Sequence, residues 1–206
     1  ETERIIWQYM ENEPRIQYIK MEENLGISGN SNRALQAAKG AYVALLDHDD
    51  VLTEDALYWV VDALQRERYD VVYSDEDRMA ENGSHYLEPR FKPEFDIDLL
   101  RAYNYISHLF VARRELMLAD GGFHSQYDGA QGYDMILRCC EGNREICHIP
   151  RVLYHKRIHD GTSSEREAKH AQENLAGKEA LEAHVSREHL LARVMMTDQR
   201  SVYTVK

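Results

Sequence analysis

The chain is poor in what several specialised protein classes require. Its 206 residues include only 3 cysteines, Cys139, Cys140 and Cys147. An odd, crowded set like this gives neither a disulfide framework nor a metal-ligand spacing, so reduced thiols in a cytoplasmic setting are expected. No apolar run approaches the roughly 20 residues of a membrane-spanning helix. The first residues lack the basic-then-apolar order of a signal peptide. Positive charge is scarce as well, with 25 Lys and Arg against 36 Asp and Glu and a formal charge of −11. Nucleic acid is therefore excluded as a partner, because neutralising a phosphate backbone needs a basic surface. A phosphorylated small molecule stays open, since a bound cation reverses the local sign. No internal repeat or low-complexity segment is visible.

What remains is ordinary globular material, 43% apolar and 30% charged, long enough for one domain with a proper core. Residues 1–13 read as a weakly amphipathic helix ending before Pro14, and 16–20 as a short strand. The polar loop 23–32 leads into a helix bearing Ala34, Leu35, Ala37 and Ala38, which Gly40 closes. Residues 41–46 are nearly all apolar and predict a strand buried on both faces. Thr53 is the expected N-cap of the next helix, whose buried stripe is Leu57, Val60, Val61 and Leu64. Val71, Val72 and Tyr73 form a strand ending in Asp75, Glu76 and Asp77. Strand and helix alternate over short links, so the fold class is α/β with a mostly parallel central sheet.

The second half is more mixed. A turn at 81–84, a strand at 105–112 and a short helix through Leu116 and Leu118, stopped by Gly121-Gly122, come first. A helix follows over 131–141 with Tyr133, Ile136, Leu137 and Cys140 inward, then strand pieces 146–149 and 152–155 around Pro150. A long charged helix spans 164–185 with Ala171, Leu175 and Val185 on its apolar side, and 192–205 closes as a strand pair.

The most informative segment is Ala44-Leu45-Leu46-Asp47-His48-Asp49-Asp50, an apolar run that stops in carboxylates. Asp47 and Asp49 form an acid-x-acid pair at the expected carboxyl end of a strand, where open α/β sheets bind ligands. Two carboxylates there suit a hard cation, Mg2+ or Mn2+, which typically bridges protein to phosphate, so a sugar-nucleotide site leads. The plainer alternative is a helix cap or a solvated loop. His155 and His159 share parity on an extended segment, with Arg157 between them either on a phosphate or on surface acids. Asp75, Glu76 and Asp77 read equally as a solvated turn or an acceptor-binding edge. Asp134, one turn into a helix, is a dipole-favoured surface acid or a general base. Asn24 and Asn32 contact a nucleotide or satisfy loop backbone, and His108 lines an acceptor pocket or sits in a buried strand.

The order Asn24-x-Gly26, Asn32-x-Ala34, Leu45-Leu46-Asp47-His48-Asp49-Asp50, Tyr73-Ser74-Asp75-Glu76-Asp77 resembles the bacterial family-two glycosyltransferases with the GT-A fold. Phe91-Lys92-Pro93, Asn104-Tyr105-Ile106-x-His108, Gly121-Gly122-Phe123 and Leu153-Tyr154-His155-x-Arg157-x-His159 extend the resemblance over about residues 14–162. It implies a GT-A domain over 1–162, incomplete at its N-terminus because the strand and helix that hold the nucleotide base precede it. A C-terminal helix and linker over 163–206 would lead toward a tandem transferase module. The implied reaction is metal-dependent, inverting sugar transfer from a nucleotide-diphosphate donor to a surface polysaccharide or lipid-linked saccharide, in the cytoplasm or at the inner face of the membrane. By resemblance Asp49 is the better metal ligand, Asp47 touches ribose or metal-bound water, and His159 closes the metal site. Asn24, Asn32 and Arg157 would contact the donor, and Asp75, Asp77 and His108 the acceptor. One slot departs from the family. Its acid before the x-Asp pair is replaced here by Gly132, which leaves Asp134 or Asp128 as base. Otherwise the domain is a catalytically silent saccharide-binding or scaffolding module, with a metal-dependent phosphohydrolase as the outsider.

Overall fold

The computed structural model describes every residue except Asp120 and 159–162, and for 163–169 the backbone alone. The elements are α1 (Thr2–Met10), α2 (Gly26–Ala37), β1 (Tyr42–Leu45), β2 (Val51–Leu52), α3 (Ala56–Arg66), β3 (Val71–Met79) and β4 (Tyr86–Arg90). They continue with α4 (Ile97–Ala102), β5 (Phe110–Arg113), α5 (Arg114–Ala119), α6 (Gln131–Cys139), β6 (Ile146–Arg157), α7 (Ser163–Arg187), β7 (Val194–Met196) and β8 (Tyr203–Val205). The main sheet has the order β1-β5-β3-β6-β2, with β4 on the far end of β3, while β7 and β8 form a separate hairpin. β1, β3 and β6 run in one direction; β5, inserted between β1 and β3, runs against both, as β2 and β4 run against β6 and β3.

The period of two along the central strands divides the core. Val71 and Tyr73 of β3, with Phe110 and Ala112 of β5, face a cluster that includes Leu100, Met117, Ile136, Leu137 and Leu181. Val72 and Val111 face the opposite cluster, with Ala56, Val60, Leu153 and Tyr154. Each large apolar side chain fully buried in these layers contributes ~2–3 kcal/mol. Val185 of α7, Val194 and Tyr203 join the larger cluster, so the C-terminal helix and hairpin pack on the same core. Cys139 and Cys140 lie there too, and burial pushes the Cys139 thiol up to about 12, so it behaves as a small apolar group. No helix among the described residues is long and apolar enough to cross a membrane.

Several local expectations are corrected. Residues 16–20 form no strand and belong to no ladder. β1 pairs with β5 alone and stands at the sheet edge, so its apolar residues are half-buried or exposed rather than covered on both faces. Helix α3 begins at Ala56 and buries Ala56, Val60 and Ala63, while Leu57 and Val61 point to solvent. The small Ala56 and Ala63 let its backbone approach the sheet, which rotates the buried stripe by about one residue. On α7, Ala176, Ala180, Leu181 and Val185 are inside, whereas Ala171 and Leu175 face out. The two pieces around Pro150 are one strand, β6, whose register against β3 shifts opposite Ser74 and Asp75. That irregularity accommodates the missing proline N–H. β3 does not end at its acids; it runs through them to Met79, buried almost throughout.

Candidate active site

The loop after β1 is pinned to the end of β6. The Tyr154 hydroxyl donates to Asp50 Oδ2 at 2.6 Å and accepts from the Asp47 amide at 3.2 Å. Asp50 Oδ1 accepts the Arg157 amide at 2.8 Å, and the Asp50 amide donates to the Asp47 carbonyl at 3.2 Å. Arg157 closes the loop from the other side, with Nε on the Asp49 carbonyl at 2.7 Å and Nη1 on the Glu81 carbonyl at 2.6 Å. Asp47 is left with its carboxylate turned outward, 61% exposed. A geometry of this kind offers lone pairs to a ligand.

His108 completes the cluster from the loop that enters β5. Its ring stacks on Tyr154 with centroids 4.6 Å apart. Nε2 lies 3.6 Å from Asp47 Oδ2, and Nδ1 lies 3.4 Å from Glu76 Oε2. One ligand atom each from Asp47, Asp50 and His108 falls within 4.8 Å of the others. Two carboxylates and an imidazole fit a divalent cation of the Mg2+ or Mn2+ type, the imidazole favouring Mn2+. Burial opposes a charged imidazole, but Asp47 and Glu76 outweigh it and raise the His108 pKa. The same contact with His108 lowers the pKa of Asp47.

Beneath His108 lies a buried ion pair. Lys92 Nζ donates to Glu76 Oε2 at 3.3 Å, to the Ile106 carbonyl at 2.6 Å and to the His108 carbonyl. All three ammonium hydrogens are thereby used. Burial works against the Glu76 charge, yet His108 and Lys92 bring its carboxyl down to about 2. Burial in turn lowers Lys92 to about 8 despite Glu76. Above this base a cleft of 580 Å³ opens between α2 and the N-terminus of α6, walled by Ser31, Leu46, Asp47, Asn104, His108 and Gly132.

The other expected site residues are occupied elsewhere. Asn24 Oδ1 accepts from the Gly26 amide and from Asn30, a local turn that starts α2. Asn32 exchanges two hydrogen bonds with the Phe123 backbone at 2.7 and 2.8 Å, holding α2 against the Gly121-Gly122 turn. A Cβ on Gly122, whose φ is +86°, would lie 2.2 Å from Asn32 Oδ1, so glycine is required there. Asp128 accepts from the buried Ser28 hydroxyl of α2. Asp134 is fully buried, with Arg138 at 2.9 Å and His124 at 3.2 Å from Oδ2. Neither acid faces the cleft, because each fixes a packing contact. A Cβ at Gly132 would meet nothing within 4 Å.

Asp75 Oδ1 bonds His148 and the Lys92 amide, each at 2.8 Å, and Asp77 Oδ1 bonds His155 at 2.6 Å. Both acids are buried, so they form no exposed acceptor edge. Arg157 is bound to loop carbonyls rather than turned to a phosphate. His159 lies outside the described residues. Asp50, Tyr154, Glu76 and Lys92 all lie inside motifs visible in the sequence, but no local signal gave Asp50 or Tyr154 a role of its own or marked Lys92 for burial.

A model of the family described as "Glycosyl transferase family 2" matches residues 1–118. The chain is 40% identical over 190 residues to the uncharacterized protein y4gI of Sinorhizobium fredii, covering 91% of the chain and 21% of that protein. It is 35% identical over 192 residues to the O-antigen biosynthesis protein RfbC of Myxococcus xanthus, covering 93% of the chain and 15% of the relative. The chain thus spans only 15–21% of the length of these two proteins. Among solved structures, S. aureus TarS 1-349 in complex with UDP-GlcNAc superposes with a TM-score of 0.64 at 17% identity, covering 91% of this chain and 60% of that one. With the family model over more than half its length and this architecture, the chain belongs to glycosyl transferase family 2 and carries the GT-A fold.

Proposed function

We propose that the domain transfers a sugar from a nucleotide-diphosphate donor to a saccharide acceptor in polysaccharide biosynthesis, with Mg2+ or Mn2+ held by Asp47, Asp50 and His108. The observation that carries this reading is that three-residue cluster at the carboxyl end of β1, opening onto the 580 Å³ cleft. When bound, the cation supplies charge neutralisation for the leaving diphosphate. Asp47, Asp50 and His108 would hold it, with the Tyr154 hydroxyl bonded to Asp50 and the Tyr154 ring stacked on His108 to keep those two side chains in place. In an inverting transfer the anomeric C–O bond to the diphosphate breaks as the acceptor oxygen bonds the opposite face. The acceptor proton passes to a base. The small share of each relative that the chain spans supports a place as one module of a longer enzyme.

Calorimetric titration of UDP and dTDP, with and without Mn2+, tests the site. Metal-dependent binding of one nucleotide is expected, weakened ~100-fold or more by Asp47→Ala and by Asp50→Ala, by analogy with lost metal ligands elsewhere. Nucleotide binding indifferent to metal and to both substitutions would overturn the assignment.

A second reading is favoured by the α6 N-terminus. Asp128 and Asp134 are both bonded away from the cleft, and Gly132 offers no carboxylate. On that reading the domain is a donor-binding but catalytically silent module. Metal-dependent nucleotide binding without donor turnover would support it, whereas turnover by the unaltered chain would exclude it.

A further inference from the structure

A second groove, of 670 Å³, lies beside the cleft, between the end of β4 and the loop that follows α4. Asn104 and Ser107 line both spaces, so the two adjoin. Its rim is aromatic: the Phe91 ring is 76% exposed and Tyr103 is 40% exposed, although large aromatic side chains are usually covered. Tyr105 stands behind Tyr103, with ring centroids 6.1 Å apart, and supports it. Exposed flat rings on a polar groove are surfaces on which the C–H face of a pyranose packs while its hydroxyls stay hydrated.

The charges of the groove are unusual for this chain. Its charged lining residues are Glu76, Arg90 and Lys92, a surplus of one positive charge in a protein of formal charge −11. Glu76 and Lys92 neutralise each other at the floor, and every Lys92 hydrogen is committed to protein oxygens. Arg90 is different. Its side chain is 57% exposed, and among the described residues its ion pair is a loose one, 3.6 Å from Nη1 to Glu76 Oε1. A guanidinium so placed presents a planar fork to a carboxylate. Asn104 adds a neutral polar group, its Oδ1 holding the Ser107 amide at 3.1 Å.

We infer that this groove is the acceptor subsite and that its ligand is a saccharide carrying carboxylates, a hexuronate-containing chain. Arg90 holds a carboxylate, and Phe91 and Tyr103 hold the ring faces. A polyol phosphate would satisfy Arg90 but has no ring face for the two aromatic side chains. The direction of the chain, with its end passing Asn104 and Ser107 toward Asp47, rests on the donor reading above; the binding of the saccharide does not.

The test is saturation-transfer NMR and calorimetry on the whole chain with hexasaccharides of unsulfated chondroitin, hyaluronan, polygalacturonate and alginate. Each is compared with its carboxyl-reduced form, and UDP with Mn2+ is titrated in parallel. At least one uronate hexasaccharide should bind, about tenfold or more tighter than its reduced form. Arg90→Gln should produce the same loss without reduction of the sugar, and Phe91→Ala a loss of about tenfold, both leaving UDP affinity unchanged. Failure of all four to bind, equal binding of the reduced forms, or preference for poly(ribitol phosphate) would each overturn the inference. Saccharide binding with no UDP binding would instead sink the donor reading and leave the groove standing.

Discussion

Two acid clusters with the same appearance in the sequence have opposite fates in the fold. Asp75, Glu76 and Asp77 lie inside β3, flanked on both sides by neighbouring strands, and each meets a cationic or imidazole partner. Asp47, Asp49 and Asp50 lie on the loop between β1 and β2, outside the strand ladders. The loop is pinned through its backbone, through Asp50 and through the Asp49 carbonyl, while the Asp47 carboxylate faces the cleft. A carboxylate becomes a ligand site when the fold satisfies the backbone around it and leaves its own lone pairs facing a cavity. Where the fold satisfies the carboxylate itself, the same residue holds the core together.

This contrast breaks most sharply at the floor of the β3 cluster. Lys92→Met leaves the Glu76 carboxylate buried without its ammonium and removes the donor from two carbonyls. A loss of about 3–5 kcal/mol in urea unfolding is expected, the scale for stripping one partner from a buried pair. A cost below about 1 kcal/mol would show that the β3 acids are no more committed to the core than the loop acids. Nucleotide binding should weaken as well, because Lys92 also fixes the His108 carbonyl.

Acid titration separates the clusters next. The folded Glu76 carboxyl sits at about 2, below its ordinary 4.5, so its contribution is complete above about 4.5 and is lost as pH falls toward 2. The urea midpoint should therefore drop across that window, and Glu76→Gln, already less stable at neutral pH, should show a flatter decline. Parallel slopes for the two proteins would remove Glu76 from the account.

The alternation of strand and helix, the loop at Asp47 and the family were legible because each is written in local pattern or in motif order. The partnerships were not. Asp77 meets His155 from 78 positions away, and Asp75 meets His148 from 73, a juxtaposition set by parallel pairing of β3 with β6. Periodicity also misjudged depth. The apolar run of β1 implied a central strand, but apolar content cannot tell whether a second neighbour exists. Asp134 had the position expected of a base, one turn into a helix, yet Arg138 one turn later on the same face drew it inward. A carboxylate with a cation four residues on is ambiguous until the direction of that face is known.

The smallest stability effect belongs to the loop, and it carries the most functional weight. Asp47→Asn removes an exposed charge whose side-chain contact is His108 at 3.6 Å, in a cluster that also contains Asp50. Without metal the change in unfolding free energy should stay within about 0.5 kcal/mol, since the exposed Asp47 carboxylate is screened by solvent and relief of repulsion from Asp50 offsets the lost contact. With Mn2+ and UDP at about 100 times their dissociation constant, the unaltered protein should gain ~2.7 kcal/mol by mass action, and the variant almost none. Thermal unfolding of both proteins, with and without the ligands, measures all four states. A variant still stabilised by the ligands would place the cation elsewhere, whereas a variant destabilised without them would put Asp47 in the same structural class as the acids of β3.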